Sequence, residues 1–204
     1  MVQLLGKAPV GLEESGVDAA SFSAHKVCGP KGVGALYLRS RTPFVATALG
    51  GGQESGRRSG TQNVCGIVGF AAACSAACGA LDTEPERERA LRDRLYRELE
   101  KRPGVHASIP VPEGSVRHLP NIVNVLVDGF ESETLILRLD MKGVCVSGGS
   151  ACSSHDLGPS HVLRALGVDA DAALGSLRIS LGRYTSEADV DEFLAAFDAA
   201  LAWE

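Results

Sequence analysis

The chain has 204 residues, 45% of them hydrophobic and 22% charged, with 20 Lys and Arg against 25 Asp and Glu and a formal net charge of −5. That composition excludes collagen-like, disordered and mini-protein architectures, and the length accommodates one domain or two small ones with a sizeable core. An acidic balance without a Lys/Arg-rich tract leaves no electrostatic footprint for nucleic acid or an anionic membrane surface, so small molecules or proteins are the expected partners.

Val17 to Ser23 reads as a short extended segment, Gly29-Pro30-Lys31-Gly32 as a turn, and Val33 to Leu38 as a β-branched and aromatic strand, so two strands flank a glycine loop. A second cluster, Gly50-Gly51-Gly52, leads into Arg57, Arg58, Ser59, Gly60 and Thr61, the composition of a functional loop. Val64 to Leu81 is uncharged and reaches membrane-spanning length. Its large apolar residues are only Val64, Ile67, Val68, Phe70 and Leu81, however, and a buried helix is expected.

From Asp82 to Arg102 the chain carries seven acidic and seven basic residues, opened by the capping-box pattern Thr83-x-x-Glu86 and closed by Pro103-Gly104. Leu91, Leu95 and Leu99 form one helical stripe, and the charges are expected on a solvated face in i,i+4 pairs. This helix is expected to connect two units, 1–102 and 103–204.

A strand over Ile122 to Val127, an Asp128-Gly129 turn, a helix near Ser132 to Met141 and a β-like run Val144 to Ser147 give the strand–helix–strand order of a small α/β unit. Gly148 to Pro159 is a loop of Gly, Ser and Cys, followed by a short helix ending at Gly167 and a strand around Leu177 to Leu181. The last helix opens with Ser186-x-x-Asp189 and buries Val190, Phe193, Leu194, Phe197 and Leu201 at helical spacing.

The cysteines are Cys28, Cys65, Cys74, Cys78, Cys145 and Cys152, without paired C-x-x-C spacing and without a secretory leader pattern. A reducing, cytosolic compartment and no metal site are the expectation. Cys65, Cys74 and Cys78 in the Ala-rich helix, and Cys145 in an apolar strand, read as small hydrophobes, whereas Cys28 beside Lys26 stays open. Cys152 lies in a Ser147-to-Ser154 stretch with no bulky apolar side chain, the setting of an accessible thiol able to ionise.

In Ser23-Ala24-His25-Lys26 an extended segment delivers a lysine beside a hydroxyl and an imidazole. A desolvated lysine there is an amine nucleophile of the kind that holds pyridoxal phosphate, with neighbouring donors for the phosphate. The alternative is a surface lysine after a buried strand. Arg178 and Arg183 are charges on and just after an apolar strand, suited to clamping a carboxylate, with structural ion pairing as the alternative.

Several segments then carry a family resemblance in order: Ser23-Ala24-His25-Lys26 with Gly29 to Gly34; Gly50-Gly51-Gly52-Gln53-Glu54 with Arg58-Ser59-Gly60-Thr61; Leu119-Pro120-Asn121-Ile122-Val123-Asn124; Ser150-Ala151-Cys152-Ser153-Ser154; His161 to Gly167; and Leu177 to Arg183. From its first residues to about Thr185 the chain resembles the C-terminal half of cysteine desulfurases of the class V aminotransferase group, in the subclass serving iron–sulfur cluster assembly. The resemblance implies an α/β fold: the C-terminal half of a pyridoxal-phosphate-dependent transferase of fold type I, comprising the tail of the large domain and the small C-terminal α/β domain.

It further implies that Lys26 binds the aldehyde of pyridoxal 5′-phosphate, Ser23 and His25 its phosphate, and Gln3 its phenolic oxygen. Thr61 is similar to the residue that reaches the phosphate in the neighbouring subunit, which implies a homodimer. Arg178 is similar to the clamp on the carboxylate of L-cysteine, and Cys152 to the thiolate that takes the sulfur as a persulfide, leaving L-alanine. A cytoplasmic sulfur-acceptor or iron–sulfur scaffold protein is the implied recipient. Met1 falls just after the position where the family carries an aspartate to the pyridine nitrogen, and the ring-stacking histidine lies upstream as well. The other half is therefore expected from elsewhere, either as a separate N-terminal half or as the rest of an undissected parent protein. The alternatives are a non-catalytic fragment acting through dimerisation or partner binding, and a selenocysteine lyase-like enzyme.

Overall fold

A computed structural model of the chain describes residues 1–149 and 159–202. Its contacts form two compact units, Met1–Thr83 and Glu84–Glu204.

In the first unit, β1 (Ala19–Ser23) pairs antiparallel with β2 (Gly34–Leu38), Ser23 opposite Gly34. The close approach requires glycine at 34, because a Cβ there would lie 2.5 Å from the Phe22 carbonyl oxygen. A 3-10 turn, Ala24–Val27, follows β1, and a kinked turn, Gln53–Gly56, precedes α1 (Val64–Gly79). Asn63 caps α1, its Oδ1 accepting the Gly66 N–H at 3.1 Å. The core is small: Ala24, Val27 and Phe70, with Leu5, Phe22, Val33, Ala73, Cys74 and Ala77 packed against it.

The expectation of a buried α1 does not hold. Only Gly66 and Phe70 are buried, while Val64, Val68 and Ile67 are 65%, 62% and 45% exposed. The turn after β1 and the residues around it, Leu5, Phe22, Ala24, Val27 and Val33, cover one side of a helix that is apolar all round. Among the described residues no single helix is long and apolar enough to cross a membrane.

The second unit is built on an antiparallel sheet in the order β3 (Val105–Ala107), β4 (Ile122–Val127), β5 (Ser176–Ser180). One face, carrying Val123, Val125, Val127, Leu177 and Ile179, packs with residues of α2 (Glu84–Leu99), α3 (Ser132–Asp140) and α6 (Glu187–Leu201) in one core. The leucine stripe of α2 and the stripe Val190, Phe193, Leu194 and Phe197 of α6 are buried as their spacing requires. Against the other face lie Leu163 of α4 (His161–Ala165) and Ala173 of α5 (Ala170–Leu174), packed around Leu126. Strand β3 and helix α5 were not anticipated; β3 spans only three residues, too few to show alternation, but Asp169 ahead of Ala170 is a readable N-cap.

The compact units divide at Thr83/Glu84 rather than at 102/103, because α2 buries Leu91, Leu95 and Leu99 in the core of the second unit. The fully solvated charge face expected for α2 also fails, since Glu88 and Arg92 are completely buried. Arg92 donates to the carbonyls of Ser115 at 3.1 Å, His118 at 3.3 Å and Leu119 at 3.1 Å and pairs with Asp93 at 2.7 Å. Asp93 in turn accepts the Gly114 N–H at 2.7 Å, so the loop leading into β4 is fastened to α2. Other α2 charges reach beyond the helix, Arg94 to Asp191 and Arg97 to Glu113.

Cys65, Cys78 and Cys145 are exposed, which corrects their reading as packed hydrophobes. Cys74 alone fits it: half-buried against the Phe70 cluster, its thiol pushed up by burial and then by the neighbouring Cys78.

Candidate active site

The first unit places Lys26 by a short chain of local causes. Strand β1 ends in extended backbone at Ser23, φ −131° and ψ 124°, and one 3-10 turn carries His25 and Lys26 outward. Cys28 closes the turn in the left-handed conformation at φ 63°, and the Gly29 N–H returns to the Ala24 carbonyl at 2.9 Å. Ala24 is fully buried beneath the turn. Ser23 Oγ and His25 Nδ1 are 2.9 Å apart. Both Lys26 and His25 are exposed, so the desolvation expected of the lysine is not supplied by residues of this unit.

Gln3 and Thr61 are exposed as well. Gln3 lies on an N-terminal turn that meets α1 at Gly6, where a Cβ would come within 2.7 Å of Ala77 Cβ. Thr61 follows Gly60, whose N–H donates to Gln53 Oε1 at 3.1 Å. Ser23, His25 and Lys26 come together in one turn; among the described residues no hydrogen bond joins Gln3 or Thr61 to it. A cleft lined by Arg39, Arg41, Arg57 and Arg58 does not include Lys26 among its walls.

In the second unit Arg178 is half-buried on β5 and enters no ion pair among the described residues. Its Nε is buried without a hydrogen-bond acceptor. An arginine with one donor, Nε, withdrawn from water and left unmatched suits an incoming carboxylate better than a structural ion pair. Beside it Ser147 exchanges backbone bonds of 2.6 and 3.1 Å with Arg178. Gly148 fits against Ser132 so closely that a Cβ would sit 2.8 Å from the serine Cβ. Residues 147 to 149 are therefore anchored, and Cys152 itself lies outside the described residues. Asn124 stands opposite Arg178 on β4 as a polar residue in the middle of an apolar strand, the one signal its sequence context offers.

The family model for aminotransferase class-V matches residues 1–193. The chain belongs to that family, whose members depend on pyridoxal 5′-phosphate. This class-V chain is 47% identical over 191 residues to the cysteine desulfurase IscS of Dictyoglomus turgidum, covering 93% of the chain and 48% of that protein. To a cysteine desulfurase of Bradyrhizobium diazoefficiens it is 46% identical over 196 residues, covering 96% and 49% respectively. Among solved structures, a NifS-like protein superposes with a TM-score of 0.87 at 41% identity, and the NifS-like protein of Rickettsia africae with 0.87 at 30%; the match covers 99% of this chain and 51% and 52% of theirs. The chain spans about half the length of the relatives it matches, and within that half the fold expected from the sequence is present.

The donor set of the Ser23 turn fits the family's cofactor. An exposed primary amine suits an aldehyde, and a hydroxyl held 2.9 Å from an imidazole, one residue before that amine, suits a phosphate.

Proposed function

We propose that this chain is the part of a pyridoxal-phosphate cysteine desulfurase that carries the cofactor-binding lysine, the carboxylate clamp and the sulfur-accepting thiol. The observation that carries the reading is the Ser23–His25 pair at 2.9 Å adjoining exposed Lys26, supported by relatives named cysteine desulfurase.

In this reading the Lys26 amine holds the cofactor aldehyde, Ser23 and His25 bind the phosphate, and Gln3 donates to the phenolic oxygen. Thr61 reaches the phosphate in a second copy, which makes the working form a homodimer. The bound cofactor supplies an electron sink for charge developing at the substrate carbons. Arg178 grips the carboxylate of L-cysteine and sets its orientation. The Cys152 thiolate attacks the substrate sulfur: a C–S bond breaks, an S–S bond forms, the products are L-alanine and a persulfide on Cys152, and an acceptor such as an iron–sulfur scaffold protein draws that sulfur off. Thiolate chemistry of this kind belongs in the reducing cytoplasm. The exposed apolar side of α1 favours completion of the first unit by a further polypeptide segment, the part of the relatives this chain does not span.

The test is direct. Chain mixed with pyridoxal phosphate is expected to develop a visible absorption band and, after borohydride reduction, a cofactor adduct on the Lys26 peptide by mass spectrometry. Lys26→Ala should lose both, whereas Cys152→Ala should keep both and lose the cysteine-dependent persulfide. An unmodified Lys26, or undiminished persulfide in Cys152→Ala, would overturn the reading.

A further inference from the structure

Asn124 and Arg178 stand directly opposite each other in the β4–β5 ladder, and their backbone bonds fix the kind of opposition. The N–H and carbonyl of Arg178 both turn away from β4, to Ser147 at 2.6 and 3.1 Å. Those of Asn124 turn the other way, its N–H donating to the Tyr96 hydroxyl at 3.1 Å and its carbonyl accepting the Ser108 N–H at 3.1 Å. The two residues are thus a non-hydrogen-bonded pair, the arrangement that brings facing Cα atoms to about 4.5 Å and their side chains closest. By strand alternation both side chains leave the sheet on the face opposite Val123, Val125, Leu177 and Ile179.

The amide of Asn124 is held in one orientation. Its Nδ2 donates to Ser176 Oγ at 3.1 Å and to the Leu177 carbonyl at 3.3 Å, and since a carbonyl only accepts, the atom facing it is the NH2. That leaves Oδ1 buried with no donor, while on the facing residue Arg178 Nε is buried with no acceptor. A buried orphan acceptor and a buried orphan donor on the closest type of cross-strand pair are matched in everything but contact.

We propose that Asn124 is the positioning residue for Arg178: its Oδ1 accepts the Arg178 Nε–H when an amino-acid carboxylate engages the guanidinium. This rests on the carboxylate-clamp reading of Arg178. A guanidinium can meet a carboxylate through Nε and one terminal nitrogen or through both terminal nitrogens. With Nε held by Asn124 only the second remains, so the carboxylate is gripped end-on, and the partner of the guanidinium is set by a neutral amide that does not compete for its charge.

The experiment uses the full chain labelled with 15N, L-alanine as the carboxylate probe, and the Arg178 Nε–H resonance, assigned by its loss in Arg178→Lys. Saturating L-alanine is expected to slow solvent exchange of that proton several-fold. Asn124→Ala should abolish the slowing and weaken L-alanine binding roughly tenfold, the loss of one hydrogen bond to a charged group. Asn124→Asp, which offers a charged acceptor, should keep the Nε–H slow even without L-alanine and weaken L-alanine binding by competing for the guanidinium, an outcome a merely structural role would not give. Asn124→Leu serves as the second acceptor-free variant if the alanine form does not fold. Equal slowing in the acceptor-free variants, or none in the wild type despite binding, overturns the proposal alone. Absence of L-alanine binding, or binding indifferent to Arg178→Lys, overturns the clamp reading and this inference with it.

Discussion

Tyr96 on α2 lies inside the core of the second unit, and its hydroxyl accepts the Asn124 N–H at 3.1 Å. Burial pushes its pKa above the usual phenol value, opposed more weakly by that hydrogen bond and by Arg92. A folded-state pKa raised above the unfolded value of about 10 means that the contribution is fully present below about pH 10 and is lost as pH rises through the folded value. Tyr96→Phe leaves the Asn124 N–H without an acceptor, an expected cost of about 1–3 kcal/mol in urea unfolding at pH 7. The same variant should show a shallower loss of stability on going above pH 10; an unchanged midpoint at pH 7 would refute the assignment. None of this was legible in the sequence, where Tyr96 stood in a charge run and its partner lay on another element. The grouping of Ser23, His25 and Lys26 was legible because a strand end and the turn that follows it hold all three.

Helix ends show which local signals survive folding. At α6 the Ser186 side chain accepts the Asp189 N–H at 3.2 Å and Asp189 accepts the Ser186 N–H at 2.7 Å, the reciprocal box that the spacing predicts. At the other pattern, Thr83 turns its hydroxyl back to the Ala80 carbonyl at 3.4 Å. The Asp189 carboxyl is held below the usual carboxylate range by the backbone N–H of Ser186 first and its hydroxyl second. A depressed folded pKa contributes stability present above the unfolded value of about 3.9 and lost as pH falls through the folded value. Asp189→Asn should therefore narrow the difference in melting temperature between pH 7 and pH 3; an unaltered difference would show that the box carries none of the acid sensitivity. The leucine stripe of α2 was equally readable, whereas the burial of Arg92 was not, because the carbonyls that satisfy it lie at Ser115, His118 and Leu119.

Across the molecule the two units differ in how much they bury. The second has a continuous core drawn from α2, β3, β4, α3, β5 and α6, and the first has Ala24, Val27 and Phe70 with, among the described residues, a two-stranded ladder as its sheet. A ladder of that size is marginal in water. Amide hydrogen exchange is expected to be slow in β4, β5 and α6 and fast in β1, β2 and α1; comparable protection in both units would contradict the assignment of stability to the second. Composition and periodicity were enough to place α1 as a helix but not to place its apolar surface, since nothing within one segment tells how much of the remaining chain covers it. Cys28 adds a practical consequence. It adopts a left-handed backbone without being glycine, a conformation that costs about 1–2 kcal/mol for a residue with a Cβ. Cys28→Gly removes that cost together with an exposed thiol, and so offers a cleaner background for tracing labelled sulfur through the protein.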